Sequence, residues 1–183
     1  MAEYRRRLPH FHPVGPFLFV TWRLHGSLPP VQPGVIYASP GHAFAVEDRA
    51  VDRAHGPRWL NEASVARRVV EALLTGEAEK LFELNAWVVM PNHVHMLVLP
   101  RVALAQITHW IKGRTAREAN LLLGRCGKPR WQHESYDHWV RNERGFNRIV
   151  AYIEHNPVSA GLAARPEDWP WSSAAWVDSN TAS

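Results

Sequence analysis

The chain has 183 residues, of which 46% are hydrophobic and 21% charged, and this composition favours one globular domain with its own core. No apolar run reaches the roughly 18–20 residues that a membrane-spanning helix needs, and no apolar signal core follows Met1–Arg7. The single cysteine, Cys126, excludes an intramolecular disulfide and a cysteine-rich zinc site. We expect a single domain over residues 1–183, with a basic tail at 1–16, a core at about 17–176 and a cytoplasmic location.

The charge of the chain is a less ordinary property. The formal net charge is +4, the isoelectric point is near 9.6, and eleven histidines would add positive charge under mild acid. A basic surplus suits a polyanionic partner, because cations that contact phosphates release counterions and supply much of the sequence-independent affinity for nucleic acid. Many basic proteins bind no nucleic acid, so the charge alone leaves the partner open.

The first half of the chain contains a strand pattern, an irregular stretch and a helix pattern. Phe17–Leu24 is rich in β-branched and aromatic residues and predicts a first strand. Residues 26–56 are crowded with Pro and Gly and predict an elaborated connection, with only a short possible helix at Ala45–Ala54. An apolar stripe predicts a helix from about Glu62 to Thr75, ended by Gly76.

The second half begins with a hairpin and ends with a helix. The predicted elements are a strand at Leu81–Met90, a tight turn at Pro91-Asn92, a strand at His93–Leu99, a helix from Leu104 to about Leu123, a short strand within Trp131–Arg141 and a last helix from Glu143 to about Asn156, stopped by Pro157. Strand, helix, hairpin, helix, strand is the order of a ferredoxin-like βαββαβ sandwich. The sequence therefore predicts an α+β fold of that class, with an antiparallel sheet.

His93 and His95 are separated by one residue on the inner strand of the predicted hairpin. Residues i and i+2 of a strand point to the same face, so the imidazoles should lie side by side, with Val94 buried behind them. Such a pair can supply two ligands to one divalent ion. Chance His-x-His pairs are common among eleven histidines, and His10-Phe11-His12 in the Pro-flanked tail is one without strand context. Two ordinary histidines with polar partners therefore stay an alternative.

Tyr152 and Asn156 lie four residues apart on the last predicted helix and therefore share one of its faces. Asn156 offers a carbonyl oxygen to a hard ion such as Mg or Mn, and Arg148, one turn before Tyr152, should bring positive charge beside it. A phenol is a weak nucleophile at neutral pH because its pKa is about 10, and a nearby cation or metal-polarised phosphate would help form the phenolate. The alternative is a tyrosine that only packs at the helix rim.

Several stretches together resemble one known family. MPNHVHMLV at Met90–Val98 looks like the histidine–hydrophobic–histidine signature of HUH enzymes. YIEHNPVSAGL at Tyr152–Leu162, followed by RPEDWPWSSAAW at Arg165–Trp176, is similar to the C-terminal segment of REP-associated tyrosine transposases, which belong to the single-strand, one-tyrosine transposase superfamily. Further similar stretches are FVTWRLHGSLP at Phe19–Pro29, GPRWL at Gly56–Leu60, KGRTAREAN at Lys112–Asn120 and WQHESYDHWVRN at Trp131–Asn142.

The resemblance implies a DNA strand-transferase whose ferredoxin-like core binds Mg or Mn between the histidine pair and a helix. In such enzymes a tyrosine attacks a phosphate of single-stranded DNA, which gives a 5′-phosphotyrosine link and a free 3′-hydroxyl. On this chain His93 and His95 match the metal ligands, Tyr152 matches the nucleophile, and Asn156 occupies the position of the helical third ligand. The implied partner is single-stranded or REP-like hairpin DNA, with nucleoid association when DNA is bound, while the oligomeric state stays open.

The sequence departs from the family pattern in two places, and two other functions stay open. His155 lies between Tyr152 and Asn156, where Asn or Leu is more usual, and little follows Trp176, so we expect no longer C-terminal guide-binding element. One alternative is a domesticated, non-catalytic protein that binds repeat DNA. The other is a metal-dependent phosphodiesterase that uses water. The intact set of two histidines, a tyrosine and an asparagine favours the transferase.

Seven basic residues are candidate phosphate contacts, and solvated surface charge is the alternative for each of them. They are Arg5, Arg6 and Arg7 in the tail, Lys112, Arg114 and Arg117 on one side of the helix that begins at Leu104, and Arg148 on the last helix.

Overall fold

The computed structural model describes residues 16–27 and 40–180 of the chain. Its strands are β1 (Leu18–Arg23), β2 (Phe82–Val89), β3 (His93–Pro100) and β4 (Tyr136–Trp139). Its α-helices are α1 (Pro40–Arg53), α2 (Ala63–Ala78), α3 (Leu104–Leu122), α4 (Glu143–Ser159) and α5 (Ser173–Asn180), with short 3-10 helices at Trp59–Asn61 and Pro166–Asp168. Within these residues, no helix is both long and apolar enough to cross a membrane.

The four strands form one antiparallel sheet in the order β2-β3-β1-β4. β2 and β3 form a hairpin, where the amide of Met90 donates to the carbonyl of His93 at 2.9 Å. β1 lies between β3 and β4, so that Thr21 is directly opposite both His95 and Tyr136. This arrangement is that of a ferredoxin-like sandwich, and the predicted α+β fold with an antiparallel sheet is confirmed.

The two faces of the sheet carry different layers, because alternate residues of a strand point to opposite sides. Val94 packs in the larger apolar core, which the sheet shares with α2 and α3. His93 and His95 point to the other face, where Leu97 packs with Ile153 of α4. Helix α1 approaches this second face through a carboxylate close to His95. The histidine pair therefore lies between the sheet and helices α1 and α4.

Gly76 lies inside α2, so the prediction that it ends this helix is wrong. The helix continues to Ala78 and passes close to the buried ring of Phe82. A Cβ atom on Gly76 would lie 2.7 Å from two carbons of that ring, which is too close for a side-chain contact. The glycine therefore marks a close approach of α2 to β2, and tertiary packing overrides its weak helix propensity.

Pro157 also lies inside a helix, and the prediction that it stops α4 is wrong. The helix extends to Ser159, and the amides of Ala160 and Leu162 still donate to the carbonyls of Asn156 and Pro157 at 3.0 and 2.8 Å. Proline removes one amide donor, and a helix tolerates this loss near its end because few turns follow.

Candidate active site

His93 and His95 lie side by side on β3, as the spacing predicts. Their ring centroids are 4.6 Å apart, and their Nε2 atoms are separated by 3.0 Å. Both side chains are buried, with 1% and 0% of their surfaces exposed, and Val94 between them packs in the opposite core. Two imidazole nitrogens therefore converge on one buried point.

Asn92 fixes the orientation of the His93 ring. Its Nδ2 donates to the carbonyl of Val51 at 2.6 Å, so its Oδ1 is the atom that faces Nδ1 of His93, at 2.8 Å. Because an amide oxygen only accepts, Nδ1 of His93 carries the proton and Nε2 presents a lone pair. Burial and the neighbouring His95 lower the pKa of His93 to about 3, which keeps its ring neutral. A neutral imidazole of fixed tautomer is the form that binds a metal ion.

Thr21 holds the second ring in a similar way. Its Oγ1 lies 2.7 Å from Nδ1 of His95, because the β1–β3 register sets these two residues opposite each other. Phe19, two residues earlier on β1, stacks on the His95 ring with centroids 5.5 Å apart. The Nδ1 side of His95 is thereby engaged, and its Nε2 faces His93.

Asp48 of α1 adds a carboxylate to the histidine pair, and the sequence analysis missed it. Its Oδ1 lies 3.3 Å from Nε2 of His95 and 3.8 Å from Nε2 of His93. The three ligand atoms lie within 4.8 Å of one another, and Asp48 is 6% exposed. The helix that carries it begins at Pro40, earlier than the predicted short helix. The signal that could have found it is the spacing of Asp48 and Asp52, which places both carboxylates on one helix face.

Asp52 lies at the edge of this cluster. Its Oδ1 is 3.9 Å from Nε2 of His93, and its side chain is 18% exposed. Burial and the charge of Asp48 raise the pKa of Asp52 to about 6, compared with an ordinary value of 3.8. Two carboxylates at one end of the site favour the binding of a cation between them and the histidines.

Tyr152 of α4 contacts the cluster through Asp48. Its hydroxyl donates a hydrogen bond to Oδ2 of Asp48, and its ring lies at an angle to those of His95 and Phe19, with centroids 5.6 and 5.9 Å away. Burial and the Asp48 carboxylate raise the pKa of Tyr152 well above its ordinary value, so the phenol keeps its proton. Burial acts to raise the pKa of Asp48 too, but His95, His93 and the Tyr152 hydroxyl hold it well below its usual range. Asp48 is therefore the ionised acceptor of this hydrogen bond.

Asn156 lies one helical turn after Tyr152 and is 3% exposed. Its Nδ2 is 3.3 Å from Nε2 of His95, and its Oδ1 has no hydrogen-bond partner among the described residues. A buried amide oxygen without a partner is costly, and it offers one more donor atom to an ion. Two imidazole nitrogens, a carboxylate and an amide oxygen are a donor set that divalent cations accept. The residues of this site therefore fit a divalent cation.

Tyr136 is the other tyrosine of the described residues, and it lies further from the histidines. It pairs with Thr21, which pairs in turn with His95. Two strand spacings of about 4.8 Å each therefore separate its backbone from that of His95. Its ring contacts Phe19, with centroids 6.4 Å apart. Of these two tyrosines, Tyr152 is the one that reaches the Asp48–His95 cluster.

Lys112, a predicted DNA contact, is held by backbone carbonyls of its own chain. Its Nζ donates to the carbonyls of Gln132, His133 and Glu134 at 3.1, 3.1 and 3.3 Å. These carbonyls belong to the segment that leads to β4. The structure thus gives Lys112 a positioning role, and its contact with phosphate stays a prediction.

The other predicted cations lie at the surface or outside the described residues. Arg114 and Arg117 are exposed on α3, and Arg148 is exposed on α4. The sequence predicts that Arg148 brings positive charge beside Tyr152. The charged groups that shift the pKa of Tyr152 are instead the carboxylates of Asp48 and Asp52, which raise it together with burial. Arg5, Arg6 and Arg7 lie outside the described residues, as does the chance pair His10-Phe11-His12.

Comparison with known proteins relates this site to a family. Residues 57–156, more than half of the chain, match the sequence model of the family described as "Transposase IS200 like". A stretch of 104 residues is 33% identical to the REP-associated tyrosine transposase of Escherichia coli K12, and it covers 55% of this chain and 59% of that protein. The chain thus matches less than two thirds of the length of this relative.

A solved structure extends the likeness at the level of the fold. It is described as "Structure of the REP associates tyrosine transposase bound to a REP hairpin". Its TM-score to this chain is 0.62 at 24% sequence identity, and the alignment covers 99% of this chain and 87% of that one. At this identity the similarity supports the ferredoxin-like architecture and no more.

Proposed function

The chain belongs to the IS200-like transposase family, and from this premise we propose that it cuts and rejoins single-stranded or hairpin DNA through a 5′-phosphotyrosine intermediate. The family match over residues 57–156 includes the histidine pair and Tyr152. The observation that carries the proposal is the hydrogen bond between Tyr152 and Asp48, which ties a tyrosine to a buried His–His–Asp cluster. That contact supports the proposal, because it brings the hydroxyl of a tyrosine beside a candidate metal site.

A divalent cation, Mg or Mn, is part of this proposal. His93, His95 and Asp48 would hold it, and Oδ1 of Asn156 offers one more oxygen. When bound, such a cation supplies Lewis-acid chemistry, in that it polarises a phosphoryl oxygen and balances the charge that develops on it. The protein's own contribution is to orient the donors, since contacts at both Nδ1 atoms fix the two rings with their Nε2 atoms facing each other.

Tyr152 is the proposed nucleophile, and Asp48 is the proposed residue that orients it. Oδ2 of Asp48 accepts the phenolic hydrogen bond, while Oδ1 faces the imidazoles. Attack by the phenolic oxygen forms a bond to a DNA phosphorus and breaks the bond to the 3′ oxygen, and the phenolic proton is lost as the 3′-hydroxyl gains one. Because the phosphotyrosine keeps the energy of the phosphodiester, a second 3′-hydroxyl can reverse the step without ATP.

Single-stranded or REP-like hairpin DNA is the proposed substrate. A relative that shares 33% identity is named a REP-associated tyrosine transposase, and the protein in the similar solved structure is bound to a REP hairpin. The net charge of +4 suits a phosphate backbone. The proposed contacts are Arg5, Arg6, Arg7, Lys112, Arg114, Arg117 and Arg148, and the oligomeric state is left open.

The test is to trap the covalent intermediate. The protein is incubated with Mn and a 3′-labelled hairpin that carries a single-stranded flank, and the products are resolved on a denaturing gel. The label should migrate with the protein, because the tyrosine is linked to the 5′ end of the released fragment. Cleavage without a protein-linked label indicates a phosphodiesterase that uses water, and binding without cleavage indicates a non-catalytic repeat-binding protein.

A further inference from the structure

We propose that Arg130 is a phosphate contact for the bound DNA strand, in a basic groove between α3 and residues 128–135. This inference deepens the proposed function and rests on it, since the ligand is a phosphodiester of the DNA substrate. The groove is called the Arg130 groove below. Its lining includes His109, Lys112 and Gly113 from α3, and Lys128, Arg130 and His133 from the facing segment.

Arg130 is a buried cation that has no carboxylate partner among the residues that the structure describes. It is 2% exposed, and its Nη2 donates to Oδ1 of Asn120 at 2.7 Å. Its Nε and Nη1 are buried and have no hydrogen-bond partner among the described residues. Burial and the neighbouring Arg125 both lower the pKa of Arg130. No carboxylate among the described residues raises it again. A buried guanidinium with unmade hydrogen bonds opposes folding, and an anion would relieve that cost.

Trp59 holds two cations close together. The guanidinium carbons of Arg125 and Arg130 lie 4.1 and 4.5 Å from the centre of its ring. Such cation–π contacts stabilise a guanidinium that has lost water, but they also bring two like charges to one indole. A phosphate near this indole is attracted by both guanidinium groups.

The Arg130 groove has room for a sugar–phosphate backbone, and its described lining is positively charged. Its volume is about 410 Å³, and no Asp or Glu is among the described residues that line it. Lys112 and Lys128 add charge to that of Arg130. A Cβ atom on Gly113 would have no neighbour within 4 Å, so a strand can approach the α3 backbone closely there. Positive charge around an open groove is the pattern expected for a nucleic-acid backbone.

The groove lies near the end of the sheet at which the histidine strand begins. The carbonyl of Arg130 accepts from the amide of His25 at 2.8 Å. The preceding residue, Leu24, donates to the carbonyl of Asn92 at 2.8 Å, and Asn92 directly precedes His93. A strand bound in the groove can therefore continue past this end of the sheet toward the histidine pair.

Three variants separate a phosphate contact from a structural role. Arg130→Met removes the charge and keeps an unbranched stem in the core, whereas Arg130→Lys keeps the charge. Arg101→Gln is the matched control, because Arg101 lies beyond the other end of β3 in an ion pair with Glu83. The ligand is a labelled single strand of mixed sequence and about 20 nucleotides, long enough to exceed a typical binding site. A second strand carries uncharged methylphosphonate linkages.

All affinities are measured well below the unfolding temperature of every variant. For Arg130→Met we expect an affinity for the phosphodiester strand about tenfold lower than that of the parent. The log–log salt slope should fall by about 0.7, the value for one phosphate of a single strand. The unfolding midpoint should be equal or higher, because an unpaired buried charge is removed. Arg130→Lys should keep most of the slope, Arg101→Gln should match the parent, and the uncharged strand should not distinguish Arg130→Met from the parent.

An Arg130→Met variant with parental affinity and salt slope would overturn the inference, whatever its stability. Equal weakening on the charged and uncharged strands would also overturn it, because the contact would then be to a base. The hairpin adduct of the parent protein, measured in parallel, distinguishes a failure of the Arg130 inference from a failure of the proposed function. If the parent forms the adduct, these outcomes concern Arg130 alone; if it neither binds nor cleaves DNA, the proposed function fails and this inference with it.

Discussion

The hydroxyl of Tyr152 donates a hydrogen bond to Oδ2 of Asp48, a residue 104 positions earlier in the chain. The other oxygen of the same carboxylate lies 3.3 Å from Nε2 of His95. One side chain of α1 thus links the candidate nucleophile of α4 to the histidine pair of β3. The proposed chemistry depends on this link through Asp48.

Asp48→Asn should weaken the binding of Mn by tenfold or more, since even residues that only hydrogen-bond to the ligands of a metal contribute about 10–100-fold to affinity. The asparagine keeps the size of the side chain but removes the charge that faces His95. Titration calorimetry of Mn binding measures the effect. Asp52→Asn is the matched control on the same helix face, and its smaller loss is expected because Asp52 is more exposed. Parental Mn affinity in Asp48→Asn would remove this residue from the metal site.

Thr21→Val should lower Mn affinity by about tenfold, because it deletes the hydroxyl that holds Nδ1 of His95 and keeps the shape of the side chain. Thr75→Val is the control, since the Thr75 hydroxyl donates to the carbonyl of Glu71 in its own helix, away from the histidines. The same calorimetric titration applies to both variants. Equal Mn affinities of the two variants would show that the orientation of His95 does not depend on Thr21.

Gly76→Ala should destabilise the fold by about 1–3 kcal/mol, because the added methyl group meets the ring of Phe82. The same substitution at Gly113 of α3 meets no atom within 4 Å and should stabilise the helix by about 0.5–1 kcal/mol. Urea unfolding of the two variants gives both free energies. A stabilised Gly76→Ala would contradict the close approach of α2 to β2.

Lys112→Met should destabilise the protein by about 1–2 kcal/mol, because the ammonium group donates to three carbonyls before β4. Thermal unfolding should detect this as a midpoint lower by about 2–8 °C. Arg117→Met removes an exposed charge from the same helix and should leave the midpoint within about 1–2 °C of the parent. If both variants unfold at the parental temperature, the carbonyl contacts of Lys112 add no stability.

The strands were predictable because their signals are local. Alternating and β-branched residues mark β1 to β3, and the Pro91-Asn92 turn sets the hairpin that orders the sheet. The errors at Gly76 and Pro157 have the opposite origin. Helix propensity describes a residue in isolation, whereas Gly76 is required by the neighbouring ring of Phe82 and Pro157 lies close enough to a helix end to be tolerated.

The site was predictable where its residues are close in sequence. The i, i+2 spacing brings His93 and His95 together, and the i, i+4 spacing places Tyr152 and Asn156 on one helix face. The spacing of Asp48 and Asp52 indicates one shared helix face, but it does not show that this face meets the histidines, because the contacts of Asp48 cross between distant segments and its helix follows a stretch rich in Pro and Gly. The surroundings of Arg130 could not be predicted for the same reason, since its contacts Trp59 and Asn120 come from different parts of the chain.

Covalent trapping with single tyrosine variants tests most directly whether Tyr152 is the nucleophile. Tyr152→Phe keeps the ring contacts with His95 and Phe19 and removes only the hydroxyl, so the variant should stay folded. With Mn and a 3′-labelled hairpin, the parent and Tyr136→Phe should both give the protein–DNA adduct, and Tyr152→Phe should give none. An adduct that persists in Tyr152→Phe and disappears in Tyr136→Phe would contradict this assignment.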